Sequence, residues 1–114
     1  MVEDLRPVYL RLRDIIAASI LDGAYRDGDM LPSVRAFAAQ QGANPLTVAK
    51  AYQSFQDDGL IVVKRGVGMF VAAGAARRLR DMERRHFLNN VWPPVAAQMK
   101  RLGIRIEELD LQQA

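Results

Sequence analysis

Leu31-Pro32-Ser33-Val34-Arg35-Ala36-Phe37-Ala38-Ala39-Gln40-Gln41-Gly42-Ala43-Asn44-Pro45-Leu46-Thr47-Val48-Ala49-Lys50-Ala51-Tyr52 is the stretch whose reading decides the fold. Ser33 is a good N-cap, because its hydroxyl accepts from the unpaired N–H groups of a first helical turn. A short helix over Val34 to Gln41 follows, with Phe37 and Ala38 as its buried residues, and Gly42 stops it. Asn44 and Pro45 then supply a second cap and a proline at the first helical position, where its missing N–H costs nothing. Val48, Ala51, Tyr52 and Phe55 recur at i, i+3, i+4 and i+7, one apolar stripe along a helix that Asp57-Asp58-Gly59 closes. Only Gly42 and Ala43 separate the two helices before the Asn44 cap, so the pair reads as a helix-turn-helix.

Upstream, Pro7 opens a helix whose Val8, Leu12, Ile15, Ile16 and Ile20 share one face and which ends near Asp22-Gly23. Gly23 to Met30 reads as a loop; its aspartates, with Asp22, lack the spacing of a calcium loop. Downstream, Leu60 to Val63 and Met69 to Val71 read as two strands around Lys64-Arg65-Gly66-Val67-Gly68, a hairpin with a basic tip. Ala72-Ala73-Gly74 is a small-residue hinge. A charged helix runs from Ala75 to about Asn89, with a narrow stripe of Ala76, Leu79, Met82 and His86 continued by Phe87, Val91 and Trp92. Pro93-Pro94 starts another helix carrying Val95, Met99 and Leu102, closed by Gly103, and Ile106, Leu109 and Leu111 add a last turn. The expected fold class is mainly α with a small β-hairpin. An N-terminal winged helix-turn-helix spans residues 1–72, and a short helical dimerisation tail, with no large effector domain, spans 73–114.

Composition narrows the function. The 114 residues are 50% hydrophobic and 25% charged, which suits one small core plus an appendage. No run approaches the roughly 18 apolar residues of a membrane span. The acidic start, Met1-Val2-Glu3-Asp4, is not that of a signal peptide. The absence of cysteine excludes disulfides and thiolate metal sites and fits a cytoplasmic location. A single histidine, no nucleophile–base set and no metal spacing argue against an enzyme, a metal site and a cofactor. Gly66-x-Gly68 sits in a hairpin rather than before a helix, so it is no dinucleotide fingerprint. Of the net charge of +3, none comes from residues 1–72, where eight basic groups meet eight acidic ones; the excess lies in the tail.

A recognition helix needs an apolar face toward its own core and a polar start toward DNA. The helix from Pro45 has both, with Thr47, Lys50 and Gln53 away from the stripe. Ser33 and Arg35 begin the preceding helix, whose open N–H groups suit a phosphate. Each residue also has a plainer role: Ser33 as a cap, Arg35 and Lys50 as solvated surface, Lys64-Arg65 as protection of a sheet edge. The conjunction decides, because the basic groups of residues 31–72 are Arg35, Lys50, Lys64 and Arg65, all on the elements a winged helix presents to a duplex.

The runs Leu31 to Ala38, Asn44 to Tyr52, Asp58-Gly59-Leu60-Ile61 and Gly66 to Val71, in that order and spacing, closely resemble the GntR family of winged-helix transcription regulators. Val8-Tyr9 and Gly28-Asp29 match its N-terminal pattern, and the 42 residues after Ala72 resemble the short YtrA-type branch. The resemblance implies that Arg35 reaches a guanine edge, that Ser33 meets a phosphate, that Asn44 and Thr47 are polar contacts opening the recognition helix, and that Gly66 and Gly68 form the wing tip in the minor groove. Members often carry arginines where Pro45 and Ala49 stand, so Arg35 carries more of the direct readout here and Leu46, beside Pro45, meets a thymine methyl. The expected DNA contacts are Ser33, Arg35, Asn44, Pro45, Leu46, Thr47, Lys50, Lys64, Arg65, Gly66 and Gly68.

One module offers too few contacts for genomic discrimination. A homodimer reading an inverted repeat is expected, as a repressor, with transporter genes as targets implied by the family. Leu79, Met82, His86, Phe87, Val91, Trp92, Val95 and Met99 are the expected dimer contacts, since their stripe is too apolar for water and too thin for a core. The competing arrangement folds that stripe back onto the chain's own DNA-binding module. The expected partners are double-stranded DNA and a second copy of the chain, without a membrane; a small-molecule effector is left open. The alternative function is a non-catalytic winged-helix module that binds nucleic acid or protein architecturally.

Overall fold

The structure, a computed structural model, describes residues 6–110, so the acidic start and Leu111 lie outside the described residues. The elements are α1 (Val8–Leu21), α2 (Val34–Gln41), α3 (Pro45–Asp57), β1 (Ile61–Lys64), β2 (Gly68–Val71), α4 (Ala75–His86), a π-helical turn (Phe87–Val91), α5 (Trp92–Leu102) and a 3-10 turn (Ile106–Glu108). Two compact units divide between Arg80 and Asp81.

In the first unit, α2 and α3 form the helix-turn-helix. Ser33 Oγ accepts from the Ala36 N–H at 3.1 Å, and Asn44 Oδ1 accepts from the Leu46 N–H at 2.8 Å. Between the helices the backbone reverses at Gly42, whose φ of +62° is a conformation that a side chain disfavours. The α3 stripe is the centre of the core: Val48, Ala51, Tyr52 and Phe55 are all buried. Burying such a side chain contributes about 1.5–3 kcal/mol. Around them pack Leu12, Ile16, Ala17 and Ile20 of α1, Phe37 and Ala38 of α2, and Leu60, Ile61 and Val71 of the hairpin. The α1 stripe is narrower than its periodicity suggests. Val8 (45% exposed) and Ile15 (39%) lie at its margin, and Ala17 is buried in their stead.

The hairpin is antiparallel, with Ile61 opposite Val71 and Lys64 opposite Gly68. The loop before α2 does more than connect. Met30 bridges to Phe70, the Gly28 N–H donates to the Val71 carbonyl (2.7 Å), the Val71 N–H to the Asp29 carbonyl (2.9 Å), and the Leu31 N–H to the Met69 carbonyl (2.8 Å). Residues 28–31 therefore cover one edge of β2. Pro32 has no N–H to continue the pairing. Its carbonyl instead accepts from the buried Tyr52 hydroxyl at 2.8 Å.

The tail departs from expectation at its prolines. Helical backbone does not stop near Asn89 and restart. It passes from α4 through the π turn into α5, with Pro93 and Pro94 inside α5's first turn. Neither proline can donate to a carbonyl four residues back, and its ring crowds that carbonyl; the wider π turn takes up the mismatch. Leu79, expected at a dimer contact, is fully buried in the single chain together with Ala75, so it serves the core. In the second unit none of the described residues is buried. No helix among the described residues is long and apolar enough to cross a membrane.

Burial, with a smaller effect from Tyr25, pushes the Tyr52 hydroxyl up to about 12 from its usual 10.0. The native state thus holds this proton more tightly than the unfolded chain. The resulting stability is complete below pH 10 and declines as pH rises toward 12. Urea midpoints measured across that range should fall more steeply for the natural chain than for Tyr52→Phe.

Candidate nucleic-acid interface

The interface builds from the open end of α2 and the hairpin tip. An open groove of about 510 Å³ lies between them, lined by Ser33 and Val34 at the start of α2 and by residues 63–69 of the hairpin, with Met30 and Leu31 as its floor. Ser33, Lys64, Arg65, Gly66 and Gly68 therefore border one concavity. Its basic groups stand on one wall and the cap of α2 on the other, where unpaired N–H groups and the helix dipole both favour an anion.

The wing tip is a tight turn closed by the Val67 N–H donating to the Lys64 carbonyl at 2.9 Å, with Gly66 at a φ of +77°. Lys64 Nζ lies 4.6 Å from the centre of the Phe70 ring, so its stem is held against the hairpin while its charge stays exposed. Gly68 is crossed closely by Met30: a Cβ built there would come 3.4 Å from Met30 Sδ. The tip is thus braced from beneath by the covering segment.

Arg35, in the first turn of α2, is exposed. On α3, Asn44, Pro45, Leu46 and Lys50 are exposed and Thr47 is half-buried. Leu46, at 81% exposure, is the most accessible large apolar side chain of the described residues and stands in the first turn of the recognition helix. Of the expected contacts, the groove gathers the α2 cap and the wing; Arg35 and the α3 residues present a polar and apolar surface of their own. Sequence reasoning missed Tyr9. Lys50 Nζ sits 4.0 Å from the centre of its ring, which couples α1 to the exposed side of α3. The signal was only the Val8-Tyr9 pair at the helix start. It also missed Met30, which looked like the end of a loop.

In the second unit, Met82, Trp92 and Met99 are half-buried, and His86, Phe87, Val91 and Val95 are exposed. Leu88 and Leu102, not among the expected contacts, are exposed as well. The Asn90 side-chain amide donates to His86 Nδ1 at 3.1 Å across the π turn. Among the described residues no cluster of His, Cys, Asp or Glu could hold a metal ion.

Comparison with known proteins agrees with this geometry. The family model described as bacterial regulatory proteins, gntR family, matches residues 8–71. The chain is 34% identical over 106 residues to the uncharacterized HTH-type transcriptional regulator YhcF of Bacillus subtilis strain 168, covering 91% of this chain and 84% of that one. It is 37% identical over 73 residues to the HTH-type transcriptional repressor YtrA of the same organism, covering 64% of this chain and 56% of the repressor. Among solved structures, a GntR family transcriptional regulator from Listeria monocytogenes superposes with a TM-score of 0.76 at 28% identity, covering 94% of this chain and 92% of that one.

Ser33→Ala should lower stability by about 1 kcal/mol, read as a lower urea midpoint at unchanged slope. Ser33→Asp, which keeps an acceptor at the cap, should lose little.

Proposed function

The chain belongs to the gntR family of bacterial regulatory proteins, DNA-binding transcription regulators rather than enzymes, and from that premise we propose that it is a homodimeric repressor occupying an inverted-repeat operator. The observation that carries this reading is the groove. It sets the basic wing opposite the capped start of α2, the spacing a sugar-phosphate strand would use. Arg35 is the candidate for a guanine edge, Leu46 and Pro45 for a thymine methyl, and Asn44, Thr47 and Lys50 for polar contacts at the start of α3. Ser33, Lys64 and Arg65 hold phosphates while Gly66 and Gly68 let the tip approach the minor groove.

The tail supports pairing. Phe87, Leu88, Val91, Val95 and Leu102 are exposed in a unit with no buried described residue, a surface that a second copy would cover. Met82, His86, Trp92 and Met99 would line the same contact, and the winged module of residues 1–72 would be left to read DNA. A two-fold pair places two recognition helices on half-sites about 10 base pairs apart. The similarity to a protein named as a repressor favours repression by occupancy. The targets in this reading are transporter genes, the setting is the cytoplasm, and a small-molecule effector would act by shifting the spacing of the two heads.

Two outcomes test it. Arg35→Ala should cost about 1–3 kcal/mol of binding to the duplex selected from a random pool, and flatten base preference at one position in each half-site. Equal losses on selected and scrambled duplexes would refute a base-reading role. Light scattering should give twice the 12.8 kDa chain mass, and Phe87→Asp should shift it toward the single-chain value.

A further inference from the structure

Three polar contacts and two buried side chains fasten the beginning of α4 to the rest of the first unit. At its N-terminus, Asp27 accepts from the Gly74 N–H at Oδ2 (2.7 Å) and from the Ala76 N–H at Oδ1 (3.4 Å). A carboxylate there satisfies unpaired donors and complements the helix dipole. One turn later, the Arg78 guanidinium reaches the end of α3, donating from Nη2 to the Gly59 carbonyl (2.7 Å) and from Nη1 to the Asp58 carbonyl (3.4 Å). Those carbonyls belong to the unpaired set at the C-terminus of the recognition helix, where a cation is favoured. Ala75 and Leu79, on the same stretch, are fully buried.

Gly59 makes the arrangement possible. Its φ of +72° turns the chain out of α3, and a Cβ there would already meet Arg78 Nη1 at 3.5 Å. A planar guanidinium can bridge two adjacent carbonyls, whereas an ammonium is a single point of attachment. Asp27 lies in the covering loop and Arg78 on α4, so the recognition helix, the loop and α4 are joined by hydrogen bonds rather than by apolar packing alone.

We infer that Arg78, with Asp27, is a positioning residue for DNA recognition: it fixes the direction in which α4 leaves the recognition helix, and thereby sets the half-site spacing that the dimer accepts. The inference rests on the dimeric, inverted-repeat reading above. α4 begins in the first unit and continues past Arg80 into the second, so a helix clamped at its first turn acts as a stiff spacer between the reading head and the pairing surface. A loosened clamp becomes a swivel. Each head would still bind its half-site, but the effective concentration of the second head at one particular spacing would drop.

The test uses the full chain, the inverted repeat it selects from random duplex, the single half-site, and repeats lengthened or shortened by about two base pairs. For Arg78→Gln and Asp27→Asn, affinity for the half-site should stay within about twofold of the natural chain. Affinity for the selected repeat should fall about tenfold, with the preference over altered spacings reduced in the same proportion. Equal losses on half-site and repeat would overturn the inference, because Arg78 would then act only in folding or direct contact. So would an unchanged spacing preference. A natural chain that binds repeat and half-site equally would instead sink the dimeric reading itself, and the inference with it.

Discussion

The structure depends on a six-residue strut, Gly28 to Ser33. Three main-chain hydrogen bonds tie Gly28, Asp29 and Leu31 to β2, the Pro32 carbonyl takes the Tyr52 hydroxyl from the middle of α3, and Ser33 caps α2. Wing, recognition helix and first helix of the turn are thereby referred to one short segment. The phenol of Tyr52 is buried, and an unpaired hydroxyl there would cost about 1–3 kcal/mol. Pro32 is what leaves a carbonyl available, because it ends the strand pairing one residue after Leu31. The groove between α2 and the wing is the space this strut spans, and Leu31 and Met30 are its floor.

The tail follows a different constraint. Its helices expose Phe87, Leu88, Val91 and Val95 and bury none of the described residues beyond Arg80. Such a surface is unfavourable in water for a single chain, whereas the first unit encloses its own core. The π turn keeps the helical path continuous where two prolines would have broken an α-helix, so the charged α4 and the apolar α5 remain one element. Continuity matters because α4 is the only part of the tail clamped to the recognition helix.

Local chemistry made the first unit legible. Ser33, Gly42, Asn44 and Pro45 are caps and breakers whose effect is decided by neighbours a few residues away, and α2 and α3 have the bounds those residues dictate. The four buried residues of α3 are the four of its stripe. What escaped a sequence reading is long-range. Nothing near Met30 says that the loop will pair with β2 some forty positions later, and Asp27 and Arg78 look like solvated charges until their partners arrive from distant elements. Leu79 belonged by period to the tail stripe but is claimed by the core. The prolines at 93 and 94 read as a helix start because a π turn has no composition signature. Within the interface, the basic wing and the α2 cap were visible as charges and caps; the coupling of Lys50 to Tyr9 was not, since it joins helices remote in sequence.

The central claim is that one face, made of the start of α2, the start of α3 and the hairpin tip, meets duplex DNA. Amide hydrogen exchange on the full chain, with and without its selected duplex, tests it most directly. The account expects new protection in residues 33–36, 44–50 and 64–68, with little change in residues 22–27 and at Asp57 to Gly59. Protection confined to the latter segments, or to the tail alone, would contradict it.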